Sequence, residues 1–169
     1  MGEDVDDDLR GVPNNLYGSD HGAHLLAQYK LYVQMADKIS ERRQTANTFF
    51  LAINSAIVTM LGIVWPRAGG LIGMSWYVII GLAGLILCYS WYRLLRSYRD
   101  LNSGKFRVVH AIEKYLPIRP YDAEWTSIGR GQNPRLYLPF THIETTVPWV
   151  FFLLYIALIV IVVVGPAFR

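Results

Sequence analysis

The chain has 169 residues, 53% of them hydrophobic and 17% charged, with a formal net charge of +3. That is too apolar for an ordinary soluble domain and points to a membrane protein, while so small a net charge gives no argument for nucleic-acid binding. The single cysteine, Cys88, excludes an internal disulfide and a cysteine-based zinc cluster.

In chain order, residues 1–20 open with MGEDVDDD and read as a disordered acidic tail, with Ser19 or Asp20 placed to cap the helix that follows. Residues 21–45 read as a cytoplasmic helix that continues into a first span at 46–65. Leu25, Tyr29, Tyr32, Ala36 and Ile39, then Ala46, Phe50 and Ile53, keep one helical stripe through both. The expectation is a single helix from about Ala23 to Val64, stopped by Pro66. A Gly-rich turn at Pro66–Gly73 lacks the Gly-Lys-Ser/Thr ending of a phosphate loop. A second span follows at 71–92, then a cytoplasmic helical segment and loop at 93–144, then a third span at 146–167. In the polar segment Leu94, Tyr98, Leu101, Val109, Ile112 and Leu116 suggest a helix that runs on to Leu116-Pro117, with a possible kink at Gly104.

The spans rest on three windows without Asp, Glu, Lys or Arg: Gln44–Pro66, Ala68–Tyr92 and Thr145–Phe168. Crossing about 30 Å of hydrocarbon takes about 20 helical residues. One Arg or Asp at a helix centre costs about 2.5–3.5 kcal/mol on insertion scales. The fold class expected is therefore an all-α membrane protein with three transmembrane helices, two of them extended into a cytoplasmic helical collar. Fourteen of the sixteen Lys and Arg residues lie before the first span or between the second and third, leaving only Arg67 and Arg169 elsewhere. The positive-inside rule places the N-terminus and the long loop in the cytoplasm and the C-terminus outside. Trp65, Trp76, Trp91 and Trp149 lie near the expected span ends, where indoles prefer the interface.

Two sets of residues are candidates for function. Arg99, Asn102, Lys105 and Glu113 share helical spacing and fit an interlocked polar network, a ligand site at the membrane surface, or a basic face against lipid headgroups. In the first span Thr48, Ala52, Ser55 and Thr59 recur at helical spacing beside Asn54. They fit either close helix packing or a wall facing a water-filled centre. In the second span Gly73, Tyr77, Gly81, Gly84 and Cys88 form a further small-residue stripe. The third span is uniformly bulky and reads as the lipid-facing one. No metal, cofactor or catalytic set is expected. His21, His24, His110 and His142 lack convergent partners, and no Ser/His/Asp, Cys/His or HExxH arrangement is present.

The pattern over Tyr98, Leu101, Asn102, Lys105, Phe106, Glu113, Leu116, Pro117, Tyr121, Glu124 and Trp125, returning with Glu144 and Pro148, resembles the RipA family of octameric membrane proteins. The resemblance implies a bacterial inner-membrane protein assembled as a ring of eight, with no settled activity. It also implies that Tyr98, Arg99, Asn102, Lys105, Phe106, Glu113, Tyr121, Glu124 and Trp125 fix subunit register in the collar. The expected partners are copies of the chain and membrane lipids. The function classes left open are a scaffold or pore-like assembly and, as an alternative, a sensor or effector of antiphage defence. A membrane enzyme has the thinnest support.

Overall fold

The computed structural model describes residues 9, 11–64, 70–132 and 140–165. Its helices are α1 (Asn14–Tyr17), α2 (His21–Val64), α3 (Gly70–Glu113), α4 (Pro120–Ser127) and α5 (Phe140–Val164), with a 3₁₀ turn at Gly129–Gly131. Among the described residues there is no strand. Three helices contain stretches long and apolar enough to cross a membrane, within His21–Ile63, Met74–Glu113 and Glu144–Val164. The fold class is thus all-α with three spans. At 1.5 Å per residue, the 44 residues of α2 and the 44 of α3 each extend about 66 Å. That is roughly twice what the hydrocarbon needs.

Several expectations are revised in detail. Most of the acidic tail, the Pro66 stop and Trp65 lie outside the described residues. The described part of the tail forms the helical turn α1, whose Tyr17 hydroxyl is 2.8 Å from Nδ1 of His24. Asp20 stands at the start of α2 and accepts the His24 N–H on its carbonyl, while the Ser19 hydroxyl turns to Oδ1 of Asp20. α3 passes through Gly104 and ends at Glu113, short of Leu116-Pro117. Its end is tightened by three successive i→i−3 bonds, from the N–H groups of Lys114, Tyr115 and Leu116.

The chain divides into two compact units, Met1–Arg42 with Tyr98–Pro139, and Arg43–Ser97 with Phe140–Arg169. In the first, the α2 stripe is as expected: Ala36 and Ile39 are buried, and Leu25, Tyr29 and Tyr32 half-buried. In the second, the inward line of α3 is Tyr77, Gly81, Gly84, Cys88, Trp91 and Leu95, all buried. The small residues of this line exist to admit α5. A Cβ on Gly84 would stand 2.5 Å from the Tyr155 ring, and one on Gly81 would stand 2.7 Å from Cγ1 of Ile159. The third span is therefore packed along one side, where Pro148, Tyr155 and Val162 are buried. Its other side, with Leu153, Leu154, Val160, Ile161 and Val163, is exposed.

The expected apolar line of α3 beyond the span is off by one residue at its start. Leu95 is buried rather than Leu94, and Leu101 is 52% exposed. The inward series runs Trp91, Leu95, Tyr98, Asn102, Val109 and Glu113, at spacings that fit one helix face. Two of its members are polar, so a search for apolar periodicity settles on the neighbouring residues. Trp91 also departs from an interfacial role. It is fully buried, stacked on Phe50 at 5.8 Å and tilted against Phe151 at 6.2 Å, and its indole N–H donates to Asn47 Oδ1 at 3.1 Å. Trp76 and Trp149 are exposed.

Candidate functional site

The first unit is organised around Glu113. This carboxylate closes α3 and is fully buried. Its Oε1 accepts the Tyr29 hydroxyl at 2.8 Å and the Tyr121 backbone N–H at 3.0 Å. Its Oε2 accepts the Asp122 N–H at 3.0 Å. Burying a charge is tolerable only when it is paired or well hydrogen-bonded. Here the compensation comes from the N-terminus of α4, where unpaired N–H groups and the helix dipole favour an anion. The first turn of α4 is accounted for donor by donor. Pro120 has no N–H, Tyr121 and Asp122 give theirs to Glu113, and Ala123 gives its own to the Arg119 carbonyl. Glu113 thus does the work of an N-cap side chain from another helix.

Aromatic groups close in around this carboxylate. The Phe106 ring lies 5.7 Å from that of Tyr121 and 6.4 Å from that of His110. Nζ of Lys105 sits 4.4 Å from the centre of the Tyr32 ring, within cation–π range. Burial, the hydrogen bond to Glu113 and the Glu113 charge raise the Tyr29 phenol well above its ordinary range. Burial and the charges of Asp37, Glu124 and Glu113 raise that of Tyr121.

Of the nine residues expected to form the assembly motif, Phe106, Glu113 and Tyr121 belong to this cluster, and Lys105 lies instead over the Tyr32 ring. Tyr98 and Asn102 are half-buried on the same inward series, and Oδ1 of Asn102 is buried with no hydrogen-bond partner among the described residues. Arg99, Glu124 and Trp125 are exposed. Trp125 instead covers the 3₁₀ turn, where a Cβ on Gly131 would meet its ring at 3.1 Å. Sequence reasoning placed Tyr29 and Tyr32 only on an apolar stripe. Their hydroxyl and ring face carry the polar contacts.

The second unit has a polar centre of its own. Asn54 is fully buried, and its Oδ1 accepts from the Tyr155 hydroxyl at 3.1 Å and from the Cys88 thiol at 3.5 Å. Its amide nitrogen donates to the Phe50 carbonyl at 2.8 Å. One side chain from each spanning helix therefore meets at one point. Cys88, expected to be a packing residue, is both packed and hydrogen-bonded. The available signal was the amide of Asn54 within the charge-free stretch of α2 and one tyrosine, Tyr155, in the otherwise apolar third span. In the same unit Arg43 Nε stands 3.5 Å from Glu144 Oε2, with about a fifth of each side chain exposed.

Thr48, Ala52, Ser55 and Thr59 are all exposed in the single chain. The face of α2 that packs within the chain is that of Asn47, Phe50 and Asn54. Among the described residues no group of three or more His, Cys, Asp or Glu side chains could hold a metal, and His142 lies outside those with described side chains.

These features fit a helical membrane protein whose surfaces remain partly uncovered as a single chain. Neither the curated proteins nor the solved structures contain a match to it. A family model, described as the octameric membrane protein family (8xMP), matches residues 26–164, which include both polar centres. The chain belongs to the octameric membrane protein family, and is an oligomeric, multi-pass membrane protein.

Proposed function

We propose that this protein is one subunit of a non-enzymatic ring of eight in the bacterial inner membrane, of the RipA type. It would serve as a membrane scaffold or pore-like assembly. The Lys and Arg distribution supports a cytoplasmic N-terminus and 93–144 segment and an external C-terminus. The first unit would then form the collar that fixes subunit register.

The observation that carries this reading is the uncovered small-residue face of α2. The exposed faces of α3 and α5 are mostly bulky, as at Ile79, Leu82 and Ile86 on α3 and Leu153, Ile161 and Val163 on α5, which suits lipid. Small residues let helix backbones approach closely. The Thr59 hydroxyl already donates to the Ser55 carbonyl at 2.8 Å, so it needs no water to satisfy it. The stripe of Thr48, Ala52, Ser55 and Thr59 is read as the contact between neighbouring subunits.

Particle imaging of the protein in nanodiscs tests ring, subunit number and axial opening together. Cysteines placed singly along the stripe in a Cys88→Ser background test its role. Protection from water-soluble thiol reagents, with Leu substitutions weakening assembly by overpacking, is the expected result. Reactivity at the stripe's spacing would make it the wall of a pore instead.

A further inference from the structure

The second unit carries an apolar notch of about 60 Å³ between α3 and α5. Cys88, Tyr89 and Tyr92 line it from α3, and Pro148, Trp149 and Phe152 from α5. Its walls are aromatic: the Tyr92 and Trp149 rings meet edge to face at 5.4 Å, as do those of Trp149 and Phe152. Tyr89 and Trp149 are well exposed, so the notch opens outward from the helices. The charge-free stretch of α3 ends at Tyr92, and Arg93 and Arg96 follow within one turn. Both arginines are exposed. Arg96 is tied to the notch wall, since its Nη1 donates to the Tyr92 hydroxyl at 3.3 Å and its guanidinium lies 5.9 Å from that ring's centre. The single carboxylate of α5, Glu144, has its charge offset by Arg43.

We propose that this notch is a binding site for an anionic phospholipid of the surrounding bilayer. A bend of an acyl chain enters between Tyr89, Trp149 and Phe152, where it meets apolar atoms alone. The phosphate and any further headgroup charge meet Arg96 and Arg93 at the level where the span becomes polar. A wholly apolar occupant would have no charge to meet either arginine, and a soluble anion would have no apolar part to fill the notch. An amphipathic anion uses both, and a bilayer presents it at high local concentration. Arg suits this role because its planar fork pairs bidentately with phosphate oxygens.

The test uses the purified oligomer reconstituted in vesicles containing phosphatidylglycerol or phosphatidylcholine with brominated acyl chains. Quenching of Trp149, taken as the difference between wild type and Trp149→Phe, should favour phosphatidylglycerol by about fivefold for each arginine engaged. Arg96→Ala should lower that preference by the same factor, and Arg96→Lys should retain most of it. Native mass spectrometry provides a second readout that does not depend on Trp149. More phosphatidylglycerol should stay bound per subunit in wild type than in Arg96→Ala. Equal quenching by the two lipids, unchanged in Arg96→Ala, would overturn the site. So would a Trp149 that neither lipid quenches, since a second copy of the chain would then cover the notch.

Discussion

The two units face the same problem and answer it with different chemistry. Each ties three helices together at a buried polar side chain. In the unit with the polar segment that side chain is a carboxylate, Glu113, held by the N-terminus of a short helix and a phenol. In the unit with the spans it is a neutral amide, Asn54, held by a phenol, a thiol and a backbone carbonyl. An ionised group deep in hydrocarbon costs several kcal/mol even after relaxation, whereas an amide with every group paired costs little. The difference lies in what compensates each group: a helix N-terminus and a phenol for the charge of Glu113, neutral donors and acceptors for the amide of Asn54.

The largest expected effect lies in the charged centre. Glu113→Ala removes the acceptor for three hydrogen bonds and should destabilise the first unit by on the order of 3–5 kcal/mol. Thermal unfolding in detergent should show this, with new proteolysis between Lys114 and Ser127. Glu113→Gln keeps an acceptor and should lose about half as much. Equal losses would mean that a neutral acceptor recovers nothing and the charged carboxylate carries the whole effect, whereas a Gln variant as stable as the native protein would mean that the charge contributes nothing beyond its hydrogen bonds.

Next is the packing of α3 on α5. Gly84→Val drives a side chain into the Tyr155 ring and should cost about 1–3 kcal/mol, read as a lowered melting temperature. Asn54→Leu should cost less, about 1 kcal/mol, because hydrogen bonds between membrane helices are individually weak. Combining it with Tyr155→Phe should be less than additive. Full additivity would show that the two do not act as one centre.

The smallest effect depends on pH. A phenol whose pKa is raised in the folded protein contributes stability that is complete below its unfolded value of about 10 and lost as pH rises through the folded value. Alkaline titration should therefore weaken the first unit only above about pH 10. Tyr29→Phe should remove a late-ionising tyrosine from the absorbance titration and flatten that dependence.

Much of the fold was legible because membrane insertion forbids charge over long stretches, and Gln44–Pro66, Ala68–Tyr92 and Thr145–Phe168 obey that rule. The stripe at Ala36 and Ile39 was legible for a similar reason, as apolar residues recur there at helical spacing. The line from Leu95 to Glu113 was not. Its inward positions include Asn102 and Glu113, and hydrophobic periodicity is blind to polar residues turned inward. Nor was α4, whose eight residues bury nothing and show no period. What calls it into existence is a carboxylate seven residues before its start. The motif residues named from resemblance were a mixture. Glu113 and Tyr121 meet directly, whereas Arg99 and Glu124 lie exposed.

The borrowed cap of α4 has a consequence for how the protein comes apart. Eight residues are too few for a helix to persist alone in water, and this one has no buried residue to hold it down. Its persistence is therefore delegated to an oxygen pair on another helix. Residues 120–127 form a unit of opening whose free energy is set by Glu113 and can be far below that of the spans. In hydrogen exchange, the amides of Tyr121 and Asp122 act as a gauge of that single side chain. They exchange together when its grip is lost, while the charge-free stretches of α2, α3 and α5 stay closed.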